Sequence, residues 1–437
     1  MVRFASTLMI VLLTVSAAFS AVTKVSLWHG YRGEEKRAIE EVAKMFNLAN
    51  SDVQVSLLAV PFDALNDSLR VKIPQGNGPD VFIFAQDYTG SWAESEIILP
   101  IESYLDKATL ALYKPYTLQA FNYMYDEALW ALPGSFKNIS LYYNKDLIRN
   151  PPQKMSEIIA EAKKFTNPKA GQFGRWGFAY ETGNFYFHTM WVQGFGGEIF
   201  KKIGKTKDNN PVYLPLLYSD PMIKAGYYVL NNVIKQQVCP IGPSGTLITQ
   251  LFNTGNAMFV VSGQWFRAEI DKRINYGLSE LPYMDQIDPS APSNPTARAV
   301  PFITVEGYFM SACAKNQEAA VKVIKFFTSA AAGKIFAKIG KQTPANNDAY
   351  KYAEVANDDI SRIFSEAAKI AKPMPNQPEM ALTWDPATSG LNDILGGKKP
   401  EVALKERQIQ LMKSIEQLRG KGVFAKYQEL SSPLSVK

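Results

Sequence analysis

The chain has 437 residues, 46% of them apolar and 20% charged, which excludes a disordered tail and a fibrous repeat and, at roughly 150 residues per domain, gives length for two or three domains. Two Cys and two His leave little for a zinc centre, a disulfide scaffold or His-based catalysis, whereas aromatic residues at 12% suit stacking against flat ligand faces. Lys plus Arg number 47 against 41 Asp plus Glu, a formal charge of +6 that would suit an acidic partner. In chain order, the first segment reads as an address. Arg3 precedes an apolar run over residues 8–19, too short for the roughly 20 residues of a membrane-spanning helix. Ala18 and Ser20 stand two apart as at a cleavage site, which predicts a signal peptide over residues 1–21 and an exported mature chain. No Cys lies near that point, so no lipid anchor is expected.

A short strand over residues 25–28 leads past Gly30 and Gly33 into a helix over 34–46, where Ile39, Val42, Ala43 and Phe46 share one face. Val53, Val55 and Leu57 alternate as a second strand, and a polar helix covers Phe62–Lys72. The turn Gly76-Asn77-Gly78-Pro79 then precedes an apolar strand over 80–85. Strand, helix, strand, helix, strand is a parallel α/β unit. Further strands are predicted over 139–143, 257–261 and 303–310, with helices from Ser156, over 317–327 and over 400–419. In the last of these Leu404, Leu411, Ile415 and Leu418 share a face. Pro289, Pro292 and Pro295 predict a loop over 285–299.

Four segments, taken together and in order, resemble the extracellular solute-binding proteins of ABC importers, in particular their maltose/maltodextrin-binding branch. They are Gly78-Pro79-Asp80 through Asp87 with Trp92-Ala93-Glu94-Ser95; Leu132-Pro133 with residues 140–147 and Asn150-Pro151-Pro152; residues 252–258 with Gly263-Gln264-Trp265; and Met374-Pro375-Asn376 with Trp384. The resemblance implies an α/β, two-lobed periplasmic-binding-protein fold of type II, with a ligand cleft between lobes joined by hinge strands. It places residues 22–136 and 283–350 in the first lobe and 137–282 and 351–437 in the second. It further implies a periplasmic monomer that binds a carbohydrate, an oligosaccharide such as maltodextrin, and delivers it to ABC permease subunits. No cofactor or metal is expected. Cys239 and Cys313 would fall in different lobes, where a disulfide would obstruct closure, so both are expected to be free.

Carried over by position, the first-lobe ligand candidates are Phe84, Gln86, Asp87 and Tyr88, with Asp87 just past a strand end, where α/β sheets bind ligands. The second-lobe candidates are the aromatics Tyr186, Phe187, Trp265 and Trp384. Two departures are visible: Lys137 stands where the maltodextrin binders carry an acid, and Tyr88 stands beside Asp87. His29 and Arg32, in the segment from Trp28 to Glu34, resemble the sn-glycerol-3-phosphate binders. Arg32 and Lys137 could hold a phosphate, so a phosphorylated polyol is the alternative ligand. A periplasmic carbohydrate-active enzyme is the alternative of another class, but no G-x-S-x-G, H-E-x-x-H or C-x-x-C motif occurs and no catalytic residue is assigned. No nucleic-acid-recognition motif is present. The positive charge concentrates at the end of the chain: residues 398–437 hold nine basic residues and four acids.

Overall fold

The computed structural model describes residues 22–123, 128–206, 211–427 and 429–435; the expected signal peptide lies outside them. Among the described residues no helix is long and apolar enough to cross a membrane.

The chain opens as β1 (Thr23–His29), α1 (Gly33–Ala49), β2 (Val53–Ala59), α2 (Phe62–Lys72), β3 (Val81–Ala85) and α3 (Thr89–Glu94). β1 pairs in parallel with both β2 and β3, in register Val25 to Val55 and Leu27 to Val81, as the alternating unit requires. β4 (Ala131–Lys137) and β9 (Phe302–Ser311) extend this sheet, with β9 antiparallel between β3 and β4, and the short strands Ile98–Leu99, Thr343–Pro344 and Lys372–Pro373 pair at its margins. β3 and β9 are buried along their whole length, so their inward residues form one core with the layer of helices. Phe82, Trp92 and Phe309 meet there with ring centroids 5.1–5.3 Å apart.

The second sheet has the order β8–β5–β7–β6, made of β5 (Ile139–Asn144), β6 (Trp176–Ala179), β7 (Ala257–Gly263) and β8 (Tyr276–Ser279). A single residue, Asn138, separates β4 of one sheet from β5 of the other. Asn138 is buried: its backbone N–H donates to Gln264 Oε1 at 3.1 Å and its side chain to the Phe364 carbonyl at 2.9 Å. The fold is therefore two α/β lobes, each built on its own sheet, with a connection that is held by side-chain hydrogen bonds. α4 (Phe185–Gly194), α5 (Pro378–Leu395) and α6 (Pro400–Arg419) flank the space between them.

The predicted loop over 285–299 contains a strand, Asn294–Arg298, that pairs antiparallel with Tyr283–Met284. Pro295 is tolerated because this two-stranded ribbon has open edges that need no N–H from it. This segment bonds to residues that flank the second sheet: Tyr283 N–H donates to Gln153 O, Val300 N–H to Met190 O, and the Asp285 carboxylate accepts the Ser156 N–H, each at 2.9 Å. Both cysteines are free, Cys239 buried beside β6 and Cys313 after β9.

Candidate ligand-binding site

A cavity of about 1890 Å³ lies between the two sheets. Its first-lobe wall grows out of the carboxyl ends of parallel strands. β3 ends at Ala85 and the chain turns through Gln86, Asp87 and Tyr88 into α3. Phe84 stacks on Phe62 of α2 at 4.9 Å and meets Tyr88 edge-on at 5.6 Å, giving an aromatic corner. Asp87 is 6% exposed; its Oδ2 accepts the Trp384 indole N–H at 2.9 Å, while Oδ1 has no partner. Burial pushes this carboxyl up to about 6, and the indole hydrogen bond opposes the rise. Asp87 thus lines the cavity with one oxygen held by Trp384 and the other buried without a partner.

The second-lobe wall carries the stacking surfaces. Asn184 caps α4 by accepting the Tyr186 N–H at 3.0 Å, which places Tyr186 and Phe187 at the helix start facing the cavity. Trp265 follows β7 and lies 6.1 Å from Tyr186 and 6.4 Å from Phe187. Its ring covers Gly263 so closely that a Cβ there would sit 2.1 Å from Cζ3. Trp384 comes from α5, 6.3 Å from Phe185.

Of the expected residues, Phe84, Asp87, Tyr88, Lys137, Tyr186, Phe187, Trp265, Trp384 and Arg32 line the cavity. Gln86 and His29 do not. Gln86 is fully buried and staples the connection, donating to the Ile303 and Met374 carbonyls at 3.4 and 3.1 Å and accepting the Val305 N–H at 2.5 Å. His29 is buried, and its Nδ1 accepts the Tyr31 N–H at 3.1 Å. Burial first, and the Lys36 charge second, lower it to about 4, and it lies outside the cavity lining.

The two expected phosphate cations are already engaged. Lys137 donates to Glu306 at 2.9 Å and Glu35 at 3.2 Å; burial alone would lower it, but the two carboxylates overcome that and raise it. Glu306 also accepts from Tyr31 and Ser135, at 3.1 and 3.3 Å. Arg32 pairs with Glu269 across the cleft at 2.7 Å on an exposed edge. Eight carboxylates and three cations line the cavity, which favours hydroxyl donors over anions.

Sequence reasoning missed Tyr31, Glu35, Phe62, Glu181 and Glu306. Glu306 left a signal, a lone acid inside an apolar strand; Glu35 left none, since an acid in a helix first turn is ordinary. Glu181 also lines the cavity, with its carboxyl raised by burial and held by the Asn184 amide at 3.2 Å.

The profile of the family described as bacterial extracellular solute-binding protein matches residues 32–334. A maltotriose-binding protein of Pyrococcus abyssi is 26% identical over 402 residues, which cover 90% of this chain and 83% of that protein. A galactooligosaccharide-binding protein of Bacillus subtilis is 28% identical over 381 residues, 85% of either chain. Among solved structures, the Thermus thermophilus maltotriose binding protein bound with maltotriose matches with a TM-score of 0.79 and 24% identity over 90% of this chain and 100% of that one.

Proposed function

Because the chain belongs to the bacterial extracellular solute-binding protein family, we propose that it captures an oligosaccharide between its lobes and delivers it to the permease subunits of an ABC importer. The observation that carries this reading is one cavity with the aromatics Trp265, Tyr186 and Trp384 on its second-lobe side and Phe84, Tyr88 and Asp87 on its first-lobe side. A pyranose needs an apolar platform and a few hydrogen-bond acceptors, and this cavity offers both. The names of the similar proteins, one for maltotriose and one for a galactooligosaccharide, support the same class of ligand.

The mechanism is capture without turnover. The lobes open about the connection at Asn138, the sugar stacks, and closure buries it; the ligand shifts this equilibrium only by its preference for the closed form. We assign residues 22–137 and 302–356 to the first lobe. Residues 139–300 and the segment from 359 onward form the second, an assignment supported by the hydrogen bonds of residues 283–300 and by the Asn138 bond to Phe364. The reading is of an exported periplasmic monomer without a lipid anchor. A phosphorylated ligand is set aside, because Lys137 and Arg32 are both committed to carboxylates.

Calorimetric titration and Trp fluorescence with malto- and galacto-oligosaccharides and with sn-glycerol-3-phosphate test the proposal. Binding of an oligosaccharide that stays intact on prolonged incubation is expected. Binding of the phosphate ester alone, or release of shorter sugars, would overturn it.

A further inference from the structure

The cavity continues past its aromatic centre. Its first-lobe wall runs along α3, from Tyr88 through Ser91 to Glu94 and Ser95. The ends of α3, Thr89 and Glu94, are separated by about 8 Å of helical rise. Opposite this end stands α6, which contributes Gln410, Ser414, Gln417 and Leu418 to the lining. These four lie within roughly 100° of one another on the helix, beside the buried stripe of Leu404, Leu411 and Ile415. The whole of α6 lies outside the residues matched by the family profile.

α6 is held rigidly. Gln408 donates to the Pro215 carbonyl at 2.7 Å and accepts the Tyr218 N–H at 3.2 Å. At the other end Arg419, buried, donates to Glu379 at 2.7 Å and to Glu94 of α3 at 2.8 Å. This ion pair joins α3 and α6 at the far end of the cavity. Arg407 donates to Gln410 Oε1 at 3.0 Å, which leaves the Gln410 amide N–H groups for another acceptor. Leu418 is 43% exposed and breaks the expectation that it packs with Leu404 and Leu411; it presents an apolar surface to the cavity instead. A cavity of about 1890 Å³ is larger than the roughly 300–1000 Å³ of a typical small-ligand site, so sugar rings held at Trp265 and Trp384 leave this end open.

We propose that α6 forms a further sugar subsite, for glycosyl units beyond those at the tryptophans, and so sets the preferred length of the ligand. The inference rests on the oligosaccharide reading above. Gln410, Ser414 and Gln417 meet hydroxyl groups, and Leu418 meets a ring face. Preorganisation by the Arg419 and Gln408 anchors means little ordering is needed on binding.

The test is a calorimetric series of malto- and galacto-oligosaccharides of two to seven units, on the wild type and on the Gln410→Ala/Gln417→Ala double variant. Both side chains are exposed, so the fold should persist, as melting curves will check. The longest bound sugars should lose about tenfold in affinity, the worth of two neutral hydrogen bonds, and the shortest should lose nothing. Lys413→Ala, on the same helix outside the cavity, should change neither. A loss that is equal at every length, or no loss, overturns the subsite and leaves the capture reading standing. Failure of both sugar series to bind the wild type overturns both.

Discussion

Asp87→Asn separates the stability of the site from its use. The Asp87 carboxyl is pushed from 3.8 to about 6, by burial first, with the Trp384 indole opposing. At about 1.4 kcal/mol per pH unit, that rise costs the folded state about 3 kcal/mol at most once both states are ionised. The sign follows from proton counting. Between pH 3.8 and 6 the unfolded chain has released this proton and the folded chain retains it, so the contribution to stability falls as pH rises through that window and is flat above. Asparagine has the same shape, can accept the Trp384 N–H on its amide oxygen, and does not ionise. The ligand-free variant should therefore gain on the wild type as pH rises from 3.8 to 6, by up to about 3 kcal/mol. Urea denaturation at pH 3.5 to 8 measures the difference. The same variant should bind oligosaccharide about ten- to a hundredfold less tightly at pH 7, having lost charge-assisted acceptance at Oδ1. A stability difference that does not vary with pH would refute the claim that burial governs this carboxyl.

Lys137→Met should cost about 3–5 kcal/mol, because it leaves Glu35 and Glu306 buried without their cation; denaturation midpoints measure it, and a second change, Glu35→Gln, should restore part of the loss. Gly263→Ala should displace the Trp265 ring, given the 2.1 Å approach of a Cβ, and weaken oligosaccharide binding about tenfold while the strand stays folded; unchanged affinity would remove Trp265 from the site. His188 is buried and lowered to about 4. Its contribution to stability is therefore lost as pH falls from 6.5 towards 4, and His188→Phe should flatten that acid limb by up to about 3 kcal/mol in thermal melts.

Local pattern carried most of the fold. The helices Gln317–Phe327 and Pro400–Arg419 stand where they were expected, because an apolar stripe at helical spacing has few other ways to be buried. β1, β2 and β3 are found in the parallel order their alternation with helices requires. The ribbon at Asn294–Arg298 was not legible, since its pairing depends on Tyr283 and Met284 across a Pro-rich stretch. At the site, Asp87 and the four aromatics Tyr186, Phe187, Trp265 and Trp384 line the cavity as their positions suggested, whereas Gln86 and His29 are buried away from it.

Periodicity thus determined the α/β elements, because it depends on residues near one another in the chain, and the resemblance of four ordered segments implied the two lobes and the cleft between them. Only the tertiary structure decided what each polar group does. Lys137 bridges Glu35 and Glu306, 102 and 169 residues away, a pairing no local pattern foretells. The basic end of the chain also changed meaning: Arg419 is spent on Glu379 and Glu94, and the same helix turns Gln410, Ser414 and Gln417 toward the cavity. A charge or an amide has the same chemistry wherever it stands, but its partners and its burial are set by distant segments, and these determine whether it supports the fold or meets a ligand.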